Sequence, residues 1–555
     1  VSVKQSKRRK PIPAVESHPE LPKERWTPIP FLDRYRIALL IALIAIGSVR
    51  IVSTYNVFSH TWDEPGHIAA GVELLRNHVY QFDQQHPTLT RMAVGIGPAL
   101  AGEMPPGQKQ PGVVWMFQEA RKLLYSSGKY QQILFSARLG ILPFFWMACA
   151  VAYLWGKRYV SPAAGVFAAF LFSFFPAALA HGGLATTDMA CTAMTAAVFL
   201  AGCIFVEEPS IGHAIAFGVL GGLAILSKFS VLAFFPASAA LAFLWYAAAE
   251  RPGVRALKGT IKKLAPFAAI SAILCGFVIW AGYAFSFANG VPAPEFWSGI
   301  REVMRHNVEG HWSFLLGKIS AVGFWYFFPV AIAVKTPIAF LLLAGAGAWY
   351  AVRDLAGRLW LTLAYAGAIL AVGMFSNINI GLRHILPMYV ALAVLGGAAL
   401  VKLFEGRSRR AAAASLLLVW MAATSLLSHP DYLAYVNALA GTHPENVMVD
   451  SDLDWGQDLN RLGRRLHELG AHEVAFTTAD GTDLALHPGF EGIKVNGGAS
   501  PTTPAVGWNA VSLTGLKEVR LGLFDTHLEV QLWQDVVPPA ERVGNSILLW
   551  YFPPR

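Results

Sequence analysis

His60–Leu89 reads HTWDEPGHIAAGVELLRNHVYQFDQQHPTL and follows the first long apolar run of the chain. Few stretches of comparable length hold so many ionisable groups: Asp63 and Glu64 are adjacent, His67 follows, and Asp83 precedes His86-Pro87. Acids just before Pro65 suit the start of a helix, and Asp63 is a candidate cap for one. A carboxylate at a membrane surface also suits a general base acting on a hydroxyl. Both readings are compatible, and the loop is the candidate catalytic segment.

The surrounding composition tells what holds this loop. Of 555 residues, 55% are hydrophobic and 14% charged, against about 25% charged in a soluble domain. The chain reads as a polytopic membrane protein. Its net charge of +9 sits in short basic runs beside apolar segments, which fits cytoplasmic loops and excludes nucleic acid as the expected partner. The four cysteines, Cys149, Cys191, Cys203 and Cys275, lie inside apolar segments without CxxC spacing and imply neither a disulfide framework nor a zinc site.

Residues 1–35 are basic and proline-containing and are expected as a cytoplasmic tail. Ile37–Tyr55 reads as a retained transmembrane helix with no small-residue cleavage site after it. Residues 36–428 then form a transmembrane domain of about eleven helices. These are expected near 37–56, 132–155, 160–180, 185–206, 211–227, 229–248, 264–285, within 319–352, and near 358–375, 384–402 and 411–428. A long outer loop covers 57–130, in which Met92–Ala101 is too short to span and should lie along the interface. The basic loop 250–263, Lys157-Arg158, and Lys402 to Arg410 all fall on one side, the cytoplasmic one. That count places the Asp63 loop, Asp188, Lys228, 286–318 and Arg383 on the opposite face. Residues 429–555 are less hydropathic and read as a small outer α/β domain. Short strand-like runs lie at Glu473–Thr478, Val519–Phe524 and Ser546–Phe552, and a helix at Asp458–Leu469.

The joint pattern of an Asp-Glu pair, a helix-length spacer, an aromatic, an Asp and a His-Pro narrows the reading. WDEPGHIAAGVELLRNHVYQFDQQHPTLTRM resembles the first outer loop of the protein O-mannosyltransferase family, itself similar to the bacterial aminoarabinose transferases of the GT-C superfamily. The matching positions are Asp63, Glu64, Phe82, Asp83, His86 and Pro87. Thr88 stands where the family usually has a second proline, which favours a bacterial relative. Asp188, in GGLATTDMACTAM, resembles the family's second acidic site.

The resemblance implies a mostly α membrane bundle of GT-C type and an inverting transfer from a polyprenyl-phosphate sugar. The acceptor would be a protein, lipid or glycan on the outer face of the plasma membrane. It places the base on Asp63 and an acceptor-placing role on Glu64. Fixed cations near the interface would stabilise the phosphate as it leaves. Candidates are Arg383 and His384 in SNINIGLRHILP, Lys335 in FFPVAIAVKTP, Lys228 and Arg138, with Asp83 and His86 as further substrate-binding positions. For Lys335 and Lys228 the alternative is snorkelling toward the interface. The charged and aromatic loop 286–318 reads best as an amphipathic helix on the membrane.

Asp450, Asp452 and Asp454, in VDSDLDWGQD, lack the glycine and glutamate of an EF-hand, and their alternation reads as the end of a strand. A similar DWGQD stretch occurs in bacterial members of this group, with no role attached. No obligatory metal is expected, although Asp63, Asp83, His86 and Asp188 have the chemistry for a divalent ion. The competing function is a transporter or flippase of lipid-linked sugars. It would need ionisable groups at mid-membrane in broken helices, where this sequence gathers them on one face.

Overall fold

In the computed structural model, residues 27–103, 112–353, 357–477, 484–498, 502–525 and 532–554 are described. Most of the expected N-terminal tail lies outside them. The first helix, α1 (Ile29–Val52), begins before the expected residue 37, with Asp33, Arg34 and Arg36 in its opening turns.

The first excursion folds as α2 (Glu64–Asn77), α3 (Thr88–Leu100) and α4 (Val113–Tyr125). The chain then continues through α5 (Tyr130–Leu139), α6 (Leu142–Tyr159), α7 (Pro162–Ser173), α8 (Pro176–Gly182) and α9 (Asp188–Glu207). Next come α10 (Ile211–Ser227), α11 (Val231–Glu250) and α12 (Val254–Gly282). The basic stretch expected as a loop at 250–263 is mostly the first turns of α12. At 29 residues this helix is roughly 44 Å long at 1.5 Å per residue, so it extends beyond a ~30 Å hydrocarbon core and its basic end projects.

A small hairpin, β1 (Phe287–Ala288) with β2 (Val291–Pro292), leads into α13 (Pro294–Glu309), which occupies the expected amphipathic segment. A second hairpin pairs β3 (Ser313–Leu315) with β4 (Lys318–Ser320). Then α14 (Phe327–Lys335) and α15 (Ile338–Arg353) meet at a bend of 117°. Pro337 removes a helical donor at that break. The membrane part ends with α16 (Trp360–Met374), α17 (Met388–Phe404) and α18 (Ser408–Leu427).

Among the described residues, six helices are long and apolar enough to cross a bilayer, or up to eight counting the bent pairs α7–α8 and α14–α15. Helices α10, α16 and α17 are apolar but shorter. Helix α17 forms the centre of the bundle. It is buried along nearly its whole length between α6, α7, α9, α15, α16 and α18. Gly347 of α15 permits a close approach to α17, since a Cβ there would collide with the backbone of Leu395.

The C-terminal part holds a five-stranded mixed sheet in the order β6-β5-β7-β9-β8. Its strands are β5 (Glu473–Thr477), β6 (Lys494–Gly497), β7 (Gly507–Ser512), β8 (Glu541–Val543) and β9 (Ile547–Phe552). Strand β5 is parallel to both β6 and β7, whereas β9 is antiparallel to β7 and β8. Helix α19 (Leu459–Glu468) buries Leu459, Leu462 and Leu466 against Val474, Phe476 and Leu549. Spacings of three and four residues keep these leucines on one face.

Helices α20 (Leu513–Asp525) and α21 (Trp533–Val536) complete this part. The expected strand at 519–524 is therefore a correction, because it belongs to α20. Leu516 and Val519, three residues apart, pack with Trp533 and Trp550, a helical spacing that the local alternation of VRLGLF conceals.

Candidate active site

Asp63 occupies the N-cap position of α2 by its backbone, yet its carboxylate makes no capping hydrogen bond. It accepts instead from Arg383 Nη1 at 2.8 Å. Arg383 comes from a short 3-10 turn, Leu382–Ile385, just before α17, and the same nitrogen lies 3.7 Å from Asp188 Oδ2. Asp188 opens α9 and is buried. Lys228 Nζ, at the junction of α10 and α11, donates to its Oδ1 at 2.7 Å. Four segments far apart in sequence thus bring two carboxylates and two cations into one chain of ion pairs. Burial disfavours the Arg383 charge, but Asp63 and Asp188 more than offset this and hold it cationic.

Glu64 points the other way. It is closed to solvent and accepts from Arg138 Nε and Nη2. The backbone N–H groups of Thr61 and Ala185 donate to it as well, each at 2.8 Å. Its bond to Thr61 closes the start of α2 from the inside, the task expected of Asp63. Burial opposes the Glu64 charge, yet Arg138 and these donors keep its carboxyl below the usual range.

The polar groups surround a cavity of about 1300 Å³. Of the residues expected from sequence, Asp63, Asp83, His86, Lys228, Arg383 and His384 line it. Asp188 stands behind Lys228 and Arg383. Glu64 and Arg138 pair beneath the Asp63 loop, outside the lining. Lys335 is also away from the cavity: it is buried and donates to the carbonyls of Leu433 and Asp452, tying α14 to the C-terminal part. Asp83 forms a buried ion pair with Arg91.

Several lining residues had no sequence-based assignment. Arg91 Nε donates to His67 Nδ1 at 3.2 Å, which puts the His67 proton on Nε2. His67 meets the His86 ring edge to face, centroids 4.9 Å apart. Burial first, then neighbouring cations, push His67, His86 and His384 well below the ordinary histidine range, so these rings are neutral. Asp450, Asp454 and Trp455 also reach the cavity from the C-terminal part. Asp450–Asp452 form a 3-10 turn, not the expected strand end. Away from this polar end, Leu232, Ala233, Ala237, Ala240, Leu241 and Leu244 of α11 face Ala368, Ala371 and Val372 of α16 across an apolar trough.

The fold as a whole matches a known architecture. The structure of ArnT from Cupriavidus metallidurans bound to undecaprenyl phosphate superposes with a TM-score of 0.50 at 14% identity, over 92% of this chain and 97% of that one. The fold is of the GT-C type. The oligosaccharyltransferase of Archaeoglobus fulgidus, tethered to an acceptor peptide, gives a TM-score of 0.48 at 13% identity, over 71% of this chain and 56% of that one. A family profile described as dolichyl-phosphate-mannose-protein mannosyltransferase matches residues 109–280, a part of the GT-C bundle downstream of Asp63. No curated protein matches in sequence. No three His, Cys, Asp or Glu side chains converge as a metal-binding group among the described residues.

Proposed function

We propose that this chain is an inverting glycosyltransferase that moves a sugar from a polyprenyl-phosphate donor to a hydroxyl of a protein, lipid or glycan acceptor. One observation carries the reading: a carboxylate paired with Arg383, with Lys228 beside it, stands at the polar end of a cavity whose other end is an apolar trough. A polyprenyl chain has the chemistry of the trough between α11 and α16, and its phosphate has the chemistry of Arg383 and Lys228. The family profile and the bound undecaprenyl phosphate of ArnT support the same donor class.

Donor phosphate entering between Lys228 and Arg383 competes with Asp63 for the guanidinium and frees the carboxylate. The acceptor oxygen then attacks the anomeric carbon opposite the phosphate. Asp63 takes the hydroxyl proton, the carbon–oxygen bond to phosphate breaks, and its electron pair leaves with the polyprenyl phosphate. The two cations stabilise the charge that develops there. Neutral His67 and His86 offer hydrogen bonds without adding charge. The reaction needs no obligatory metal on this reading, since fixed cations already stand at the phosphate end.

The basic end of the bundle supports an orientation with the site on the outer face. Arg158 and Arg358 meet Glu207 at the end of α9 opposite Asp188, roughly 30 Å away over twenty residues. By the positive-inside rule that end is cytoplasmic, and the site faces outward. Purified protein in lipid nanodiscs, offered a panel of polyprenyl-phosphate sugars with and without membrane extract, tests the function. Extract-dependent release of polyprenyl phosphate is expected. Tight donor binding without release across the panel, even with extract, would favour a transporter.

A further inference from the structure

Arg383 is held from a direction the ion pairs do not explain. Its guanidinium lies over the indole of Trp455, 4.0 Å from the ring centroid. Its Nε donates to Ser451 Oγ at 3.0 Å. Both residues belong to the strand-poor segment that opens the C-terminal part.

The same segment grips the loops on either side. The Leu382 N–H donates to both carboxylate oxygens of Asp452, at 3.0 and 3.2 Å. Ser451 Oγ donates to the Ile380 carbonyl, and a Cβ at Gly381 would collide with that hydroxyl oxygen. On the other side, the Trp62 N–H donates to the Trp455 carbonyl at 3.1 Å, and Ser59 Oγ donates to the Gly456 carbonyl at 2.8 Å. Residues 451–456 therefore staple the Arg383 loop to the loop that carries Asp63.

We propose that the C-terminal domain completes the catalytic centre, with Trp455 and Ser451 as positioning residues that hold Arg383 where it can pass from Asp63 to the donor phosphate. The inference rests on the reading of Arg383 as a phosphate holder. The chemistry suits a cation that must change partners. Ser451 fixes Nε and the indole face supports the guanidinium plane, so the terminal nitrogens keep their aim while exchanging one anion for another. A ring face attracts the cation without competing for its donors. Truncating Trp455 leaves Arg383 charged and still tethered at Nε by Ser451, but without support for its guanidinium plane, a loss that falls on phosphate binding.

The test is a double-mutant cycle on the full chain in nanodiscs, with undecaprenyl phosphate as probe and its dissociation constant as readout, so transfer is not required. W455A should weaken binding about tenfold, and W455F should recover most of the loss. S451A, a milder variant that keeps the ring, should cost about three- to fivefold. R383A should weaken binding at least as much as W455A, and W455A/R383A should bind no worse than R383A alone, because Trp455 acts through the guanidinium. Additive losses in the cycle would overturn the proposal, as would unchanged binding in W455A beside weakened binding in R383A. Unchanged binding in R383A would overturn the phosphate reading itself, and this proposal with it.

Discussion

Glu64 and Arg138 form a two-pronged ion pair closed to solvent, with Arg138 Nε on Oε1 and Nη2 on Oε2, both at 2.8 Å. Its neighbour Asp63 faces the cavity and Arg383. Two adjacent acids therefore have separate tasks. E64A leaves a buried guanidinium uncompensated and should cost about 3–5 kcal/mol. Thermal unfolding in detergent should show a marked fall in midpoint and yield. A variant of unchanged stability with impaired turnover would instead move Glu64 into the chemistry.

Asp63 gives the converse expectation. D63N keeps the shape of the loop and removes the proton acceptor, so turnover should fall by about 10²–10⁴, while polyprenyl phosphate should bind at least as tightly, because it no longer competes with a carboxylate for Arg383. Near-normal turnover in D63N would remove Asp63 as the base.

Arg383 and Lys228 should separate donor from acceptor. R383A should raise the donor KM more than the acceptor KM, and K228A should do the same to a smaller degree, since Asp188 and Arg383 remain. Steady-state kinetics with each substrate varied in turn distinguish this from the reverse pattern, which would place Arg383 on the acceptor side.

Chelation should leave the reaction within about twofold of its untreated rate. Asp63 and Asp188 already face Arg383 and Lys228, and cations fixed in the protein can take the electrostatic part that a metal plays elsewhere. Loss of activity in EDTA, restored by a divalent cation, would contradict this.

His60 and His487 predict how pH acts on the joint between the first excursion and the C-terminal part. Their rings lie 6.2 Å apart beside Tyr130. Burial lowers His60 to about 4 and His487 to about 3. A depressed histidine stays neutral when folded while its unfolded form takes a proton. The stabilisation is therefore full above the ordinary value near 6.5 and declines as pH falls below it. At pH 5.5 the loss is about 1.4 kcal/mol for each ring. Hydrogen-exchange protection in 484–490, corrected for the intrinsic pH dependence of amide exchange, should fall between pH 7 and 5.5, and an H60Q/H487Q variant should flatten that response.

The polar half of the site was legible because charged residues between apolar spans are few and fall on one face. Asp63, Lys228, Arg383 and His384 stood out in this way, and the cavity gathers them. Glu64 was not separable from Asp63 in sequence, because consecutive residues at a helix start point about 100° apart and only the packed structure shows which turns inward. Lys335 was ambiguous between a site and a snorkel. The bend after α14 gives it a third place, on the carbonyls of Leu433 and Asp452. Trp455 was visible only as part of an unassigned DWGQD stretch, since nothing local in that stretch points to Arg383. The strand expected at 519–524 failed because a six-residue window of alternating apolar residues fits either element, and the packing of Leu516 and Val519 decided it.

The link between Ser59 and Gly456 spans 397 positions of sequence. At about 5–20 residues per second, a ribosome that has just released the Asp63 loop needs on the order of 20–80 s more to make the segment that steadies Arg383. The bundle can insert and pack while its reaction centre is still unfinished. A product truncated before residue 451 would enter the membrane without Ser451, Asp452 and Trp455, and so without the contacts that hold Leu382 and Arg383 in place.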